Sequence, residues 1–483
     1  MVSQRACRIG KPKKNTVAQT SLATSRPPFL VPLIVGCAQF MHQFDGSVIT
    51  TALPAMARSL GEDPLRLNLA ITCYLLALAV FVPVSTWLSD KFGGKRVFMT
   101  AIVIFSVSSL LCGLSRSLAE LVISRTLQGI GGAMMTPVGR IIVAKSVPKS
   151  ELVQAINWIT IPALLGPILG PSVGGFIVTY FSWEWIFFIN VPIGLLGVFL
   201  VKAFIPDLRE SEVPRFDLRG FMLVGFAVAA MILGFEAMGR GLFPASAVGV
   251  LIAAGLGSAV LYIFHARRKE GPIVDLGLLR VPTFAASIWG GALVFIGATS
   301  QVFLLALLLQ LGFGFTPFQS GLTTLATAAG SIMIKSMVGP VLRFFGIRRL
   351  LIYNTLLTAA YIAACGLFRA STPYVLILLT LWVSGLSRSV EYTAIQSLSY
   401  ADLPPALTAR ATGFASMSQQ VWLSFGVGLV ALIMQLAREW HGHVSIAPDD
   451  IMPAYFAIAF LSLVAAGVFA RMPKNAGAQL DLR

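Results

Sequence analysis

Long apolar stretches separated by short basic clusters run along this chain from about residue 29 to residue 471. A helix needs about 20 mostly apolar residues to cross a bilayer. Fourteen stretches reach that scale, at 29–57, 67–88, 97–115, 118–145, 151–181, 184–205, 217–238, 243–265, 283–311, 316–342, 348–369, 373–399, 407–437 and 452–471. Several are interrupted by glycine and proline, which membrane helices tolerate where neighbours pack closely or re-satisfy the backbone. The pattern predicts an all-α polytopic membrane protein with fourteen transmembrane helices.

Composition agrees. Of 483 residues, 56% are apolar and 12% charged, about half the roughly 25% that a soluble domain carries. There is too little charge to cover two or three soluble domains, so a water-soluble enzyme is excluded. The net charge is +16, but nucleic-acid binding requires a solvent-facing basic stripe. Here the bases fall between the apolar stretches, where they orient membrane helices. With the N-terminus inside, cytoplasmic segments hold 27 Lys and Arg, and outer loops hold 6: Arg58, Arg66, Arg116, Arg240, Arg369 and Arg438. That bias predicts cytoplasmic termini at both ends and an even number of spans. Residues 1–28 are basic and polar, and the apolar run after them continues into the fifties without a small-residue cleavage site. A first transmembrane helix is therefore expected rather than a signal peptide. The five cysteines, Cys7, Cys37, Cys73, Cys112 and Cys365, are far apart and suggest neither disulfides nor metal ligands.

A faint repeat divides the chain. Leu88–Arg96, after the second span, recurs as Val341–Arg349 after the tenth, and Gly129 and Pro148 recur as Gly385 and Pro404. Parallel repeats mark transporters whose halves rock about a midplane site. The expected organisation is a basic cytoplasmic tail at 1–28, a six-helix bundle at 29–205, and two inserted helices with their loops at 206–282. A second six-helix bundle follows at 283–471, then a cytoplasmic tail at 472–483.

Two intramembrane charges carry the functional expectation. Asp45 sits in the first span and Arg125 in the fourth. By helix rise, Asp45 is roughly 18 Å and Arg125 roughly 10 Å from the outer ends of their helices, within a few turns of each other in depth. Buried ionisable groups in a membrane are functional by default. An acid that pairs with arginine in one conformation and is protonated in another carries protons; the bland alternative is a static pair joining two helices. In the fifth span, Gly166, Gly170 and Gly174 make a smooth face for another helix, with Pro167 and Pro171 bending the segment.

Asp45-Gly46-Ser47-Val48-Ile49-Thr50-Thr51-Ala52-Leu53-Pro54 resembles the first-span signature of the fourteen-helix drug:proton antiporters of the major facilitator superfamily, the EmrB/QacA type. Arg125-Thr126-Leu127-Gln128-Gly129 resembles the fourth-span motif, Gly166–Gly175 the antiporter motif of the fifth span, and Ser182–Pro192 the segment that follows it. The first half is similar to the MdtD-type subgroup. The resemblance implies the major facilitator fold, with two six-helix bundles and two inserted central helices. It also implies proton coupling through Asp45 and Arg125, and sealing of the route by the fifth-span glycines. The loop Leu88–Arg96 resembles the superfamily's loop after the second span, which implies a conformational role for Asp90, Gly93 and Arg96. In the family, the acid of this loop latches across to the other half. Thr86 stands where the family has a glycine, and Gly94 where it has an arginine.

In the second half, Arg388 and Glu391 are three residues apart and could neutralise each other, with Glu391 as the one deep acid that substrate could meet. Lys335 is close enough to the cytoplasmic surface to snorkel. Phe44, Gln128 and Met134 are candidate pocket residues, and His42 could share the proton of Asp45. No Walker-type phosphate loop occurs, so an ion gradient must drive any pumping. His441 and His443 alone make a weak metal case; no metal and no cofactor are expected. The implied function is proton-coupled multidrug efflux from the bacterial inner membrane. The implied partners are protons, small amphipathic organic compounds and membrane lipid, with or without a periplasmic adaptor subunit as in the EmrB branch. Proton-coupled uptake, or facilitated passage, of a small organic solute is the alternative on the same fold. A membrane-embedded enzyme is not expected, since the four histidines are scattered.

Overall fold

The computed structural model of the chain describes residues 29–473 and 476, apart from 63, 149–150, 208–214, 241–243, 370, 405–406 and 444–446. The tail expected at 1–28 lies outside the described residues, as does most of the tail expected at 472–483. The first half comprises α1 (Leu30–Leu60), α2 (Pro64–Phe92), α3 (Gly94–Leu114), α4 (Leu118–Ser146), α5 (Leu152–Tyr180), α6 (Trp185–Phe188) and α7 (Asn190–Phe204). Two helices follow, α8 (Leu218–Arg240) and α9 (Ala245–Arg268). The remainder is α10 (Pro282–Leu307), α11 (Pro317–Met333), α12 (Val338–Phe345), α13 (Ile347–Gly366), α14 (Tyr374–Leu398), α15 (Thr408–His441) and α16 (Pro448–Ala470).

Two expected spans are broken. Pro192 has no N–H for the carbonyl of Phe188, and the sixth span divides into α6 and α7 there. Pro340 likewise cannot bond the carbonyl of Ser336, and α11 and α12 meet at 67° across the short turn Ile334–Ser336. With each broken pair taken as one rod, the described residues hold fourteen rods. Ten are long and apolar enough to cross a bilayer, and the bent pair makes an eleventh. The other three, α1, α4 and α13, carry buried polar side chains: Asp45; Arg125 and Gln128; Asn354, Thr355 and Thr358. The last span starts at Pro448 rather than near 452, because Asp449 and Asp450 belong to the first turn of α16, where the helix dipole favours acids.

α1 lies along α5 and also touches α4 and α7, while α2 and α3 pack on α4. In the other half α10 packs on α15 and α16, α13 on α16 and α14, and α11 on α14. α8 and α9 pair with each other, and α8 leans on both α2 and α15.

The halves meet at the end that carries the loops 88–96 and 341–349. There Leu152, Val153 and Ile156 of α5 share one apolar core with Val338 and Leu342 of α12 and Ala394 and Leu398 of α14. At the opposite end the cores draw on one half each. Three polar contacts reinforce the seam. Asn157 Nδ2 donates to the Lys335 carbonyl at 3.1 Å, Thr393 Oγ1 is 3.3 Å from Asn157 Oδ1, and Lys335 Nζ donates to Thr393 Oγ1 at 3.1 Å. Lys335 therefore does not snorkel: it is 3% exposed, held by the turn that breaks its helix. Thr86 of α2 is accommodated from across the seam. A Cβ on Gly413 of α15 would come within 2.6 Å of the Thr86 methyl carbon, so glycine on that helix leaves room for the threonine.

Asn157→Leu removes both seam bonds of that side chain, each worth about 0.5–1.5 kcal/mol net. With a cysteine placed at Leu398 in a chain lacking its native cysteines, the expected result is roughly tenfold faster maleimide labelling than with Asn157 intact. Unchanged labelling would mean that apolar packing alone holds the seam.

Candidate functional site

The structure brings Asp45 and Arg125 together. Arg125 Nη1 donates to Asp45 Oδ2 at 2.6 Å, with side-chain exposures of 0% and 1%. The other carboxylate oxygen accepts from Gln128 Nε2 at 2.9 Å and from Asn190 Nδ2 at 3.1 Å. Gln128 Oε1 in turn accepts from Arg125 Nη1 at 2.6 Å. Asn190 Nδ2 also lies 3.0 Å from Ser109 Oγ, which donates to the Phe187 carbonyl at 2.9 Å. Three helices, α1, α4 and α7, thus meet at one carboxylate, and α3 braces the site through Ser109. A buried ion pair is tolerable only when its remaining lone pairs and protons are satisfied. Here the carboxylate is satisfied on both oxygens.

The arginine is satisfied only in part. Its Nε and Nη2 are buried without a hydrogen-bond partner. Its guanidinium carbon lies 4.2 Å from the centre of the Tyr74 ring and 5.8 Å from that of Phe187, so aromatic faces partly balance the cation. Gly129 makes this possible. A Cβ there would overlap the Tyr74 carbonyl, so only glycine lets α4 lie against α2 one turn beyond Arg125.

The fifth-span glycines explain how α1 is held. A Cβ on Gly166 would come within 2.7 Å of the Phe44 nitrogen, one on Gly170 would overlap Ser47 Oγ, and one on Gly174 would overlap Thr51 Oγ1. Ser47 Oγ also donates to the Gly166 carbonyl at 3.1 Å. The face therefore packs on the α1 segment that carries Asp45. Pro171 lies in α5, but its side chain is outside the described residues.

Other sequence candidates fall elsewhere. His42 does not bond Asp45; its Nδ1 is 2.6 Å from the Tyr74 hydroxyl. Phe44 and Met134 are buried in two different apolar cores of the first half, and Gln128 belongs to the carboxylate network rather than to a pocket. Glu391 is not paired with Arg388. It accepts from Thr355 at 2.9 Å and from Thr358 at 3.2 Å, while the Arg388 guanidinium sits 5.8 Å from the centre of the Tyr392 ring. The one-turn spacing fails as a pairing signal because the hydroxyls of α13 reach the acid. Asp90 lies 3.6 Å from Lys145 at the end of α4 in its own half. Arg96 lies 3.9 Å from Asp207, and Gly93, with φ of +89°, turns the chain from α2 into α3. Sequence reading missed Asn190 and Tyr74. An asparagine inside the apolar run 184–205 was the available signal for the first; nothing marked the second.

Residues 35–427 match the Major Facilitator Superfamily profile. The chain is 37% identical over 445 residues to "Putative multidrug resistance protein MdtD" of Escherichia coli O157:H7 (strain EC4115 / EHEC), covering 92% of this chain and 94% of that protein. The protein of the same name from Shigella sonnei (strain Ss046) is 37% identical over 449 residues, with the same coverage. Among solved structures, the human organic anion transporter MFSD10 (TETRAN) superposes with a TM-score of 0.66 at 16% identity, covering 92% of this chain and 100% of that one. The proton:xylose symporter XylE, bound to 6-bromo-6-deoxy-D-glucose, gives 0.65 at 15% identity, covering 94% and 98%. At such identities these two structures share the fold.

Proposed function

We propose, from the premise that this chain belongs to the major facilitator superfamily, in its MdtD-type subgroup, and is therefore a transporter and not an enzyme, that it exports amphipathic organic compounds in exchange for protons. The observation that carries this reading is the fully buried Asp45–Arg125 pair, 2.6 Å apart, on a helix clasped by the α5 glycine face. The multidrug resistance name of the relatives supports the substrate class. We take residues 29–205 and 283–471 as the rocking halves and 206–282 as the inserted pair. In this reading the protein sits in the inner membrane of a bacterial cell with both termini in the cytoplasm, an orientation that the basic bias of the loops supports. The joined end is then cytoplasmic, and the conformation faces outward.

In that conformation Asp45 is ionised and paired. A proton arriving from outside neutralises the carboxylate, and the attraction to Arg125 falls away. Arg125 retains Gln128 and the Tyr74 face but loses its counter-charge, which destabilises the paired conformation and favours the change. The loosened α1–α4 contact permits the halves to rock and opens the cytoplasmic end. There the proton leaves, substrate is taken up, and the re-formed pair favours return. Each proton brings about 2.3 kcal/mol per 100 mV of membrane potential, enough to bias a change between nearly balanced states.

The test is direction of flow. Proteoliposomes made acidic inside should accumulate ethidium, a permanently charged amphipathic dye, as protons leave, and should stop when the gradient is collapsed. Accumulation driven only by acid outside would establish symport instead, and gradient-independent equilibration would establish a facilitator.

A further inference from the structure

At the end of the molecule opposite the seam, three side chains converge that the transport cycle does not use. α15 ends at His441, and Gly442, with φ of +71°, turns the chain so that the His443 N–H bonds the Arg438 carbonyl at 3.0 Å. The turn sets the two imidazoles side by side, with ring centres 5.4 Å apart. Asp450, in the first turn of α16, faces them with 0% exposure. Its Oδ1 is 2.7 Å from His441 Nδ1, its Oδ2 is 3.0 Å from His443 Nδ1, and Oδ2 also accepts the Ala447 N–H at 2.8 Å. One ligand atom from each of the three residues lies within 4.8 Å of the others.

We propose that His441, His443 and Asp450 form a binding site for a divalent transition metal of the zinc class. Zinc takes imidazole nitrogen and carboxylate oxygen at about 2.0–2.2 Å, which in a tetrahedron sets ligand atoms roughly 3.3 Å apart, so the imidazole–carboxylate distances of 2.7 and 3.0 Å need to widen only slightly. Each imidazole binds through Nδ1 and carries its proton on Nε2. The histidine side chains are 36% and 37% exposed, so an ion reaches them from water, and a fourth position stays open to solvent. The carboxylate is held in place by the Ala447 N–H, Asp449 precedes it in the first turn of α16, and Glu439 near the end of α15 accepts from Gln435 Nε2 at 3.2 Å. Two histidines alone were a weak signal; burial of Asp450 against them supplies the third ligand. Bound metal would clasp α15 to α16.

The experiment uses the full chain, purified without a polyhistidine tag, stripped with a chelator and titrated with Zn²⁺ against a competing indicator. The expected result is one tight equivalent per chain, which raises the melting temperature with increasing Zn²⁺. His443→Ala should weaken it by at least about tenfold, whereas H443C should keep it because a thiolate is also a zinc ligand. Both variants alter an exposed side chain and spare Asp450, so folding is preserved. Absence of a stoichiometric equivalent in the unaltered chain would overturn the proposal. So would an equivalent that persists in the H441A/H443A double variant.

Discussion

Asp45→Asn should reduce proton-driven dye transport to the leak of protein-free vesicles, while the protein still inserts and folds. Asparagine keeps the size of the side chain and one oxygen for Arg125, but it cannot cycle between charged and neutral forms. It also leaves the arginine charge buried without a counter-charge. Breaking a buried pair from one side costs about 3–5 kcal/mol, so a lower melting temperature should accompany the loss. The two effects separate in the double variant D45N/R125Q. Removing the orphaned cation should recover much of the melting temperature, and transport should remain absent. A D45N protein whose transport still follows the imposed pH gradient would refute proton coupling at this site.

Gly170→Ala is the second large effect, and its sharpest feature is a contrast within one helix. A methyl at position 170 would overlap Ser47 Oγ and come within 2.9 Å of Ser47 Cβ and 3.2 Å of the Val48 nitrogen. α1 must move away, and overpacking of this kind costs about 1–3 kcal/mol. A methyl at Gly175, five residues along α5, meets nothing within 4 Å. G175A should therefore be neutral, or stabilising by about 0.5–1 kcal/mol through helix propensity, and transport like the unaltered chain. G170A should lose transport by about tenfold or more, because the helix that carries Asp45 is displaced. Pairing G170A with S47G removes the obstructing atoms and should restore a large part of the rate, with S47G alone as the reference for additivity. Equal behaviour of G170A and G175A would show that the α5 face merely packs.

Much of the site is legible in the amino-acid sequence. An acid and an arginine inside apolar stretches at similar depth are hard to explain except by each other, and the pair is 2.6 Å apart. The glycine spacing announced a close helix contact. The pairing of Arg388 with Glu391 was misread because spacing on one helix says nothing about a hydroxyl-rich neighbour. Lys335 was misread as well. Its distance along the chain from the surface suited snorkelling, but a break in its helix turned it into the seam. Phe44 and Met134 were apolar residues in apolar runs, and which of those reach a cavity is a property of the assembled bundle.

The sequence by itself determined that the chain is a membrane bundle of about fourteen helices, that an acid and an arginine lie within its apolar stretches, and which helix presents a smooth face. Those are consequences of hydropathy, helix rise and missing side chains, all local along the chain. Only the tertiary structure decided which helix meets that smooth face and that Asn190 and Tyr74 complete the Asp45–Arg125 site. It alone also showed that the halves join through Asn157, Lys335 and Thr393, and that Asp450 turns toward two histidines. These contacts link residues far apart in the chain, and they exist because burying a polar group in a bilayer demands a partner, wherever the fold can bring one.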